Sequence, residues 1–285
     1  MTPESVQKRM IAVVDTNNSP RQTIPEGTVW RILTPSNDKT RVEVCKYQID
    51  AGKQLRLSPS ERTQVVYILE GNGAEVTFSS GCKTTKHPAE KTCGVYLEPN
   101  EEAVIKAASS PLTLLQVIVP KYKGKTIDGE TPDGYFFDES RLQVLIDEGR
   151  KRIRTFWVNK ETGLSRSWDL QIGRMHYEPQ GHAPRHVHHA SKTSSVTPEH
   201  FYLIEDGIAE LKHDNGSFRL TAGNLVLIPA GEWHQLFATD TGLNYFEFQG
   251  PFDFSTTMDR DPLGKNWYIQ GTDDGSGHPI LWVQS

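Results

Sequence analysis

Two stretches of this chain read as variants of one text. Thr63 to Val76 is T-Q-V-V-Y-I-L-E-G-N-G-A-E-V, and Pro198 to Leu211 is P-E-H-F-Y-L-I-E-D-G-I-A-E-L, with a Tyr and two Glu recurring in register. The run from Gly94 to Pro99 is answered from Gly223 to Pro229, one residue longer, and G-K-Q-L-R from Gly52 by G-H-A-P-R from Gly181. An internal repeat of about 130 residues constrains the fold strongly, because each copy must be one structural unit and the two units must be alike.

Each copy reads as all-β. From Val29 to Pro120 the chain runs V-E-V-C-K-Y-Q-I, Q-V-V-Y-I-L-E, A-E-V-T-F, G-V-Y-L-E-P, A-V-I-K-A and L-T-L-L-Q-V-I-V, punctuated by Gly, Pro, Asn and Ser. Short apolar and β-branched runs at that spacing signal an antiparallel sandwich or barrel and leave no room for crossover helices. The pattern resumes from Thr155. Between the copies lies D-E-S-R-L-Q-V-L-I-D-E-G-R-K-R, whose Leu142, Leu145 and Ile146 fall at i, i+3 and i+4. With Asp138 or Ser140 to cap it and Gly149 to end it, that spacing predicts one short helix. The expected division is a first barrel over 1–125, a linker with the helix over 126–154, and a second barrel over 155–285. The turn-rich tail from Gly250 keeps large aromatics that need burial, so it is expected to pack back on a barrel or a second subunit.

The 36 acidic and 31 basic residues form no long block of either sign, so nothing marks a nucleic-acid or membrane partner. The apolar run at the N-terminus ends at Asp15, short of a signal peptide or a spanning helix, and predicts a cytoplasmic protein. Cys45, Cys82 and Cys93 are an odd number at no ligand spacing and read as free thiols. Asn215-Gly216-Ser217 reads as a turn.

Eight of the ten histidines lie between His176 and His234. His186 and His188 are two apart, and alternation in a strand turns both to one side, toward a barrel interior. His234 follows the turn Pro229-Ala230-Gly231 and arrives from a neighbouring strand. These residues resemble the two cupin motifs. Gly223, Pro229, Gly231 and His234 match every fixed position of the second. Gly181, His186, His188 and Glu199 match the first, with two departures: four residues separate Gly181 from His186, and ten separate His188 from Glu199. The resemblance covers both halves and implies a bicupin.

The third ligand has two readings. Counting the family spacing back from Gly207 gives His200 and a four-histidine site. Matching Tyr202 to Tyr67 without a gap gives Glu199, opposite Gln64. Adjacent strand residues face opposite sides, so only one coordinates, and the gap-free repeat favours Glu199; the resemblance implies that this carboxylate doubles as base. Three imidazoles and a carboxylate suit one divalent transition metal per chain, Fe(II) first and Mn, Ni, Cu or Zn as alternatives. His176, on the preceding strand, is a candidate acid or base and equally a candidate core histidine. His189 is expected to point away. In the first half the ligand positions fall on Ser58, Ser60, Gln64 and Val104, so that barrel is expected to be empty and to serve as a structural partner or dimerisation surface.

The insertion from Ala190 to Pro198 is either a flap over the metal or a surface excursion. Should Tyr202, Phe246 or Phe248 line the pocket, an aromatic or apolar organic substrate becomes attractive; Glu247, alternating with the phenylalanines, cannot share their face. The resemblance implies a quercetinase-like dioxygenase acting on a small molecule, in a homodimer. Non-redox isomerase, lyase or hydrolase chemistry at the same centre, and ligand binding without turnover, are the alternatives. Oxalate decarboxylase ranks low, since that group is typically longer and metal-loaded in both barrels.

Overall fold

The structure is a computed structural model describing residues 10–35, 40–122, 133–159, 168–191, 196–251, 253–259, 267–272, 275, 276 and 278. Its described elements are twenty-two strands and three short 3-10 turns. Residues 21–138 build a seven-stranded and a four-stranded antiparallel sheet, and the rest of the described chain builds an eleven-stranded one. The N-terminal strand Ala12–Asp15 crosses over to pair with Asn224–Pro229 of the eleven-stranded sheet. No described helix is long and apolar enough to cross a membrane.

Strand alternation sorts the apolar residues into three cores. In the strand Arg62–Glu70, Val66 and Ile68 face inward with Val76, Val95, Ile105 and Leu114, while Val65 and Tyr67 face the second half. In the strand Glu199–His213, Tyr202 and Ile204 face the second interior, while Phe201 and Leu203 face the seam. Between the halves Tyr67, Val117, Phe137, Trp157, Phe201, Phe246 and Phe248 form one continuous cluster, with the Tyr67 and Trp157 rings stacked at 4.0 Å.

The linker helix does not form. Its residues make the strand Tyr135–Asp138, a 3-10 turn Glu139–Arg141, the strand Val144–Asp147 and a 3-10 turn Glu148–Arg150. Two forces override the helical spacing. Val144 and Ile146 are β-branched, and the backbone of Val144–Asp147 pairs with Arg152–Val158 and with Tyr268–Ile269. Alternation then buries Leu145 in the second interior and buries Asp147 against Arg150 (2.8 Å) and Arg152 (2.7 Å). Asp138 does cap a turn, accepting from the Ser140 N–H, but a 3-10 turn.

The described part of the tail packs back as expected: Trp267 is buried beneath Arg152 and Arg154, whose guanidiniums lie 4.6 and 4.9 Å from its ring. The remainder of the tail, and residues 192–195 of the insertion, lie outside the described residues. The three cysteines are free.

Candidate metal centre

Three strands of the second half deliver imidazoles to one point. His186 and His188 sit on the strand His186–Ala190, which pairs with Phe254–Met258 and meets the strand His234–Gly250 at His186 opposite His234. The turn before His234 needs a left-handed residue, supplied by Gly231 at φ +84°, and its N–H bonds the His188 carbonyl at 2.9 Å. His200 comes from the strand Glu199–His213. One ligand nitrogen from each of His186, His188, His200 and His234 lies within 4.8 Å of the others. Ring centroids are 4.1 Å apart for His186 and His234 and 4.7 Å apart for His188 and His200. His188, His200 and His234 are buried, and His186 keeps partial contact with solvent.

Burial, seconded by the charge of His200, pushes the His186 imidazole down to about 4. Burial and the neighbouring rings hold His188 and His234 well below the ordinary histidine value. These rings are neutral at pH 7 and have lone pairs to offer.

Partners fix where those lone pairs point. A carbonyl can only accept, so His186 donates through Nδ1 to Pro184 O (2.8 Å), and His234 donates through Nδ1 to Glu232 O (2.9 Å). His188 places Nδ1 3.0 Å from Thr256 Oγ1 and Nε2 3.4 Å from the Gln249 amide nitrogen. His200 Nε2 lies 3.0 Å from Glu247 Oε1. That leaves His200 Nδ1 and His234 Nε2 buried without a hydrogen-bond partner. Orphaned imidazole nitrogens cost free energy that a bound ion would recover, so the residues present fit a divalent transition metal.

Glu199 is not part of this cluster. Its carboxylate accepts from Thr40 Oγ1 at 2.8 Å and from the Arg41 N–H at 3.1 Å, both in the first half. The gap-free repeat misled here: Tyr67 faces the seam and Tyr202 the interior, so that alignment set opposite faces against each other. Counting back from the turn glycines Gly71 and Gly207 pairs Gln64 with His200 instead, and the contacts agree. Gln116, opposite Val66, donates to Gln64 Oε1 at 2.9 Å, just as Glu247, opposite Tyr202, accepts from His200. His176 also lies off the cluster. Its neighbours Met175 and Tyr177 face the interior, so it faces the other way and meets Asn244 Oδ1 at 2.9 Å.

Sequence reasoning missed Glu247 and its supports. Alternation on Tyr245-Phe246-Glu247-Phe248-Gln249 turns the phenylalanines to the seam and Glu247 inward. Burial alone would raise the Glu247 carboxyl; the Arg154 charge and the His200 bond outweigh it and hold it down to about 2. Arg154 Nη2 binds its other oxygen, Oε2, at 3.2 Å. The signal was the strand's two-residue period, unusable until one face was assigned. Tyr202 is the one candidate pocket aromatic that reaches the cluster, its ring 4.6 Å from His200. His189 is exposed, as expected. In the first half Gln64 bonds Ser60 Oγ (3.2 Å) and Gln116, and the four histidines are the one group among the described residues that could hold a metal ion.

No family model matches the chain, and no curated protein matches it. Solved structures do. The protein Ylba from E. coli superposes with a TM-score of 0.63 at 14% identity, over 84% of this chain and 90% of that one. The Lactobacillus farciminis oxalate decarboxylase formate complex superposes with a TM-score of 0.69 at 12% identity, over 86% and 88%. The fold is the cupin fold. A Bacillus subtilis oxalate decarboxylase, in a structure concerned with that enzyme's Mn(II) centres, gives a TM-score of 0.67 at 13% identity over 86% and 78%. At such identities the likeness is one of cupin architecture, and the chemistry rests on this chain's own residues.

Proposed function

We propose that this chain is a metal-dependent enzyme with a cupin fold. His186, His188, His200 and His234 hold one divalent transition metal per chain, and the substrate is a small organic molecule. The observation that carries the reading is the convergence of four imidazoles, two of them with orphaned buried nitrogens. Bound there, Fe(II), Mn, Ni, Cu or Zn would supply a Lewis acid and, for the redox-active ions, a site of electron transfer. The protein supplies the rest. The interior around His188, His200 and His234 excludes bulk water, which strengthens every electrostatic contact inside it. Glu247 stays ionised beside His200 and is the carboxylate that accepts a hydrogen bond from the cluster, on the face where Glu199 was expected. Tyr202 gives the cluster one aromatic wall.

The finer reading is a dioxygenase acting on an enediol, diketone or aromatic substrate, with Fe(II) first among the ions. Non-redox isomerase, lyase or hydrolase chemistry at the same centre is the second reading; the fold neighbours named oxalate decarboxylases, one of them with Mn(II) centres, favour a lyase without making it non-redox. We extend the proposal to a homodimer, which light scattering tests, and to a cytoplasmic location, which cell fractionation tests. The discriminating assay is oxygen uptake by Fe-, Mn-, Ni- or Cu-loaded protein with a panel of diketones, catechols and flavonols. Uptake with one class supports the dioxygenase. No uptake with any member, together with anaerobic turnover by the zinc form, overturns it in favour of the second reading.

A further inference from the structure

The four histidines are not equivalent. His186, His188 and His234 are each anchored through Nδ1, to Pro184 O, Thr256 Oγ1 and Glu232 O, and present Nε2. His200 is anchored the other way round, through Nε2 to Glu247 Oε1. A carboxylate accepts and does not donate, so a neutral His200 carries its proton on Nε2 and keeps its lone pair on Nδ1, the nitrogen left buried and unpartnered. The amide of Gln249 obeys the same constraint: its nitrogen, 3.3 Å from Glu247 Oε1, is also the group 3.4 Å from His188 Nε2. That assigns His188 the acceptor role at Nε2 and the donor role at Nδ1.

We infer that Glu247, clamped by Arg154, is a positioning residue that sets His200 apart as the Nδ1 donor of an otherwise Nε2-presenting centre. The inference rests on the metal reading for its purpose and for the Zn(II) part of its test, while the tautomers of the metal-free protein test it without metal. Arg154 is itself fixed, with Nη2 on Glu247 Oε2 at 3.2 Å, Nε on Met175 Sδ at 3.0 Å, and its guanidinium over Phe156 and Trp267 at 4.9 Å each. Oε1 is thereby left for His200 and Gln249. Among the described residues Glu247 is the one carboxylate in hydrogen-bond contact with any of the four rings. It therefore brings negative charge to a set of imidazole donors, and a carboxylate on the far nitrogen of a ligating imidazole raises that ligand's basicity.

The test is imidazole nitrogen NMR on the metal-free parent protein, with His200→Gln used to assign the His200 signals. The expected spectrum has His186, His188 and His234 protonated at Nδ1 and His200 protonated at Nε2. On addition of Zn(II), the Nδ1 resonance of His200 shifts, as do the Nε2 resonances of the other three. Glu247→Gln, which keeps the shape and removes the charge, is expected to weaken Zn(II) binding about 10-fold to 100-fold, with Glu247→Asp recovering part of the loss. A His200 ring protonated at Nδ1, or one that shifts at Nε2 on Zn(II) addition, overturns the inference. So does a folded Glu247→Gln protein with the parent's Zn(II) affinity; if that variant does not fold, the tautomers of the parent decide alone. Absence of any Zn(II) response in a parent whose His200 is protonated at Nε2 overturns the metal reading and leaves the positioning role standing.

Discussion

At the scale of single residues, two neighbours on one strand divide the labour. His200 faces the cluster and Glu199 faces the first half, where Thr40 and the Arg41 N–H hold its carboxylate. Glu199→Gln is therefore expected to leave metal binding intact and to lower unfolding free energy by about 1–3 kcal/mol, because a buried charged acceptor is weakened. Chemical denaturation alongside metal titration checks both parts; loss of metal without loss of stability would contradict the assignment. The histidines also predict a pH dependence. For His186 the folded value of about 4 lies below the unfolded value of 6.5, so the unfolded chain binds more protons between them, and stability falls as pH drops through that window. The effect is on the order of 3 kcal/mol for His186 alone, and His188 and His234 act in the same direction. Glu247, held to about 2 against an ordinary 4.5, extends the loss as pH falls further. Denaturation midpoints of the metal-free protein from pH 7 to pH 4 test this, and a flat profile would count against buried neutral rings.

At the scale of elements, the strand Val144–Asp147 is held by what its alternate residues bury. Asp147 is fully buried between Arg150 and Arg152, and Arg152 lies over the Trp267 ring. Asp147→Ala leaves buried guanidinium charge without its carboxylate and is expected to cost about 3–5 kcal/mol, seen as a lowered melting temperature; a change within 1 kcal/mol or so would show that the pair adds little. The same segment shows how far the sequence could be read. Leu142, Leu145 and Ile146 satisfy a helical period, but V-L-I-D also satisfies a strand period, and nothing local reveals the partner strands that decide between them. The H-x-H pair was legible because alternation alone settles its geometry. The third ligand was not: one residue of slip between Tyr67 and Tyr202 exchanges Glu199 for His200, and only the ladder from Gln116 and Glu247 fixes the register. Glu247 was hidden for the same reason, since a Y-F-E-F-Q strand reads identically with either face inward.

At the scale of the molecule, the repeat was legible in the recurring Tyr and Glu residues, while the register that relates its two copies was not. The first half keeps the second half's ladder but places Gln64 and Gln116 in the positions of His200 and Glu247, closing an amide pair in place of the cluster's imidazole and carboxylate. Its contribution comes through the seam, where Tyr67 stacks on Trp157 and both bond Glu139 Oε2 at 2.8 Å. Trp157→Ala is expected to destabilise by about 3–5 kcal/mol, and to do so for both halves together if the seam couples them; two separate unfolding transitions in the parent protein would contradict that coupling. The central claim is the four-histidine centre in the second half, and elemental analysis of protein equilibrated with a divalent transition metal tests it most directly. About one ion per chain is expected in the parent, set by the one cluster among its described residues, with retention in Glu199→Ala and loss in His200→Ala and His234→Ala. A parent that takes up no ion, or one that loses it with Glu199 and keeps it without His200, would contradict a four-histidine centre.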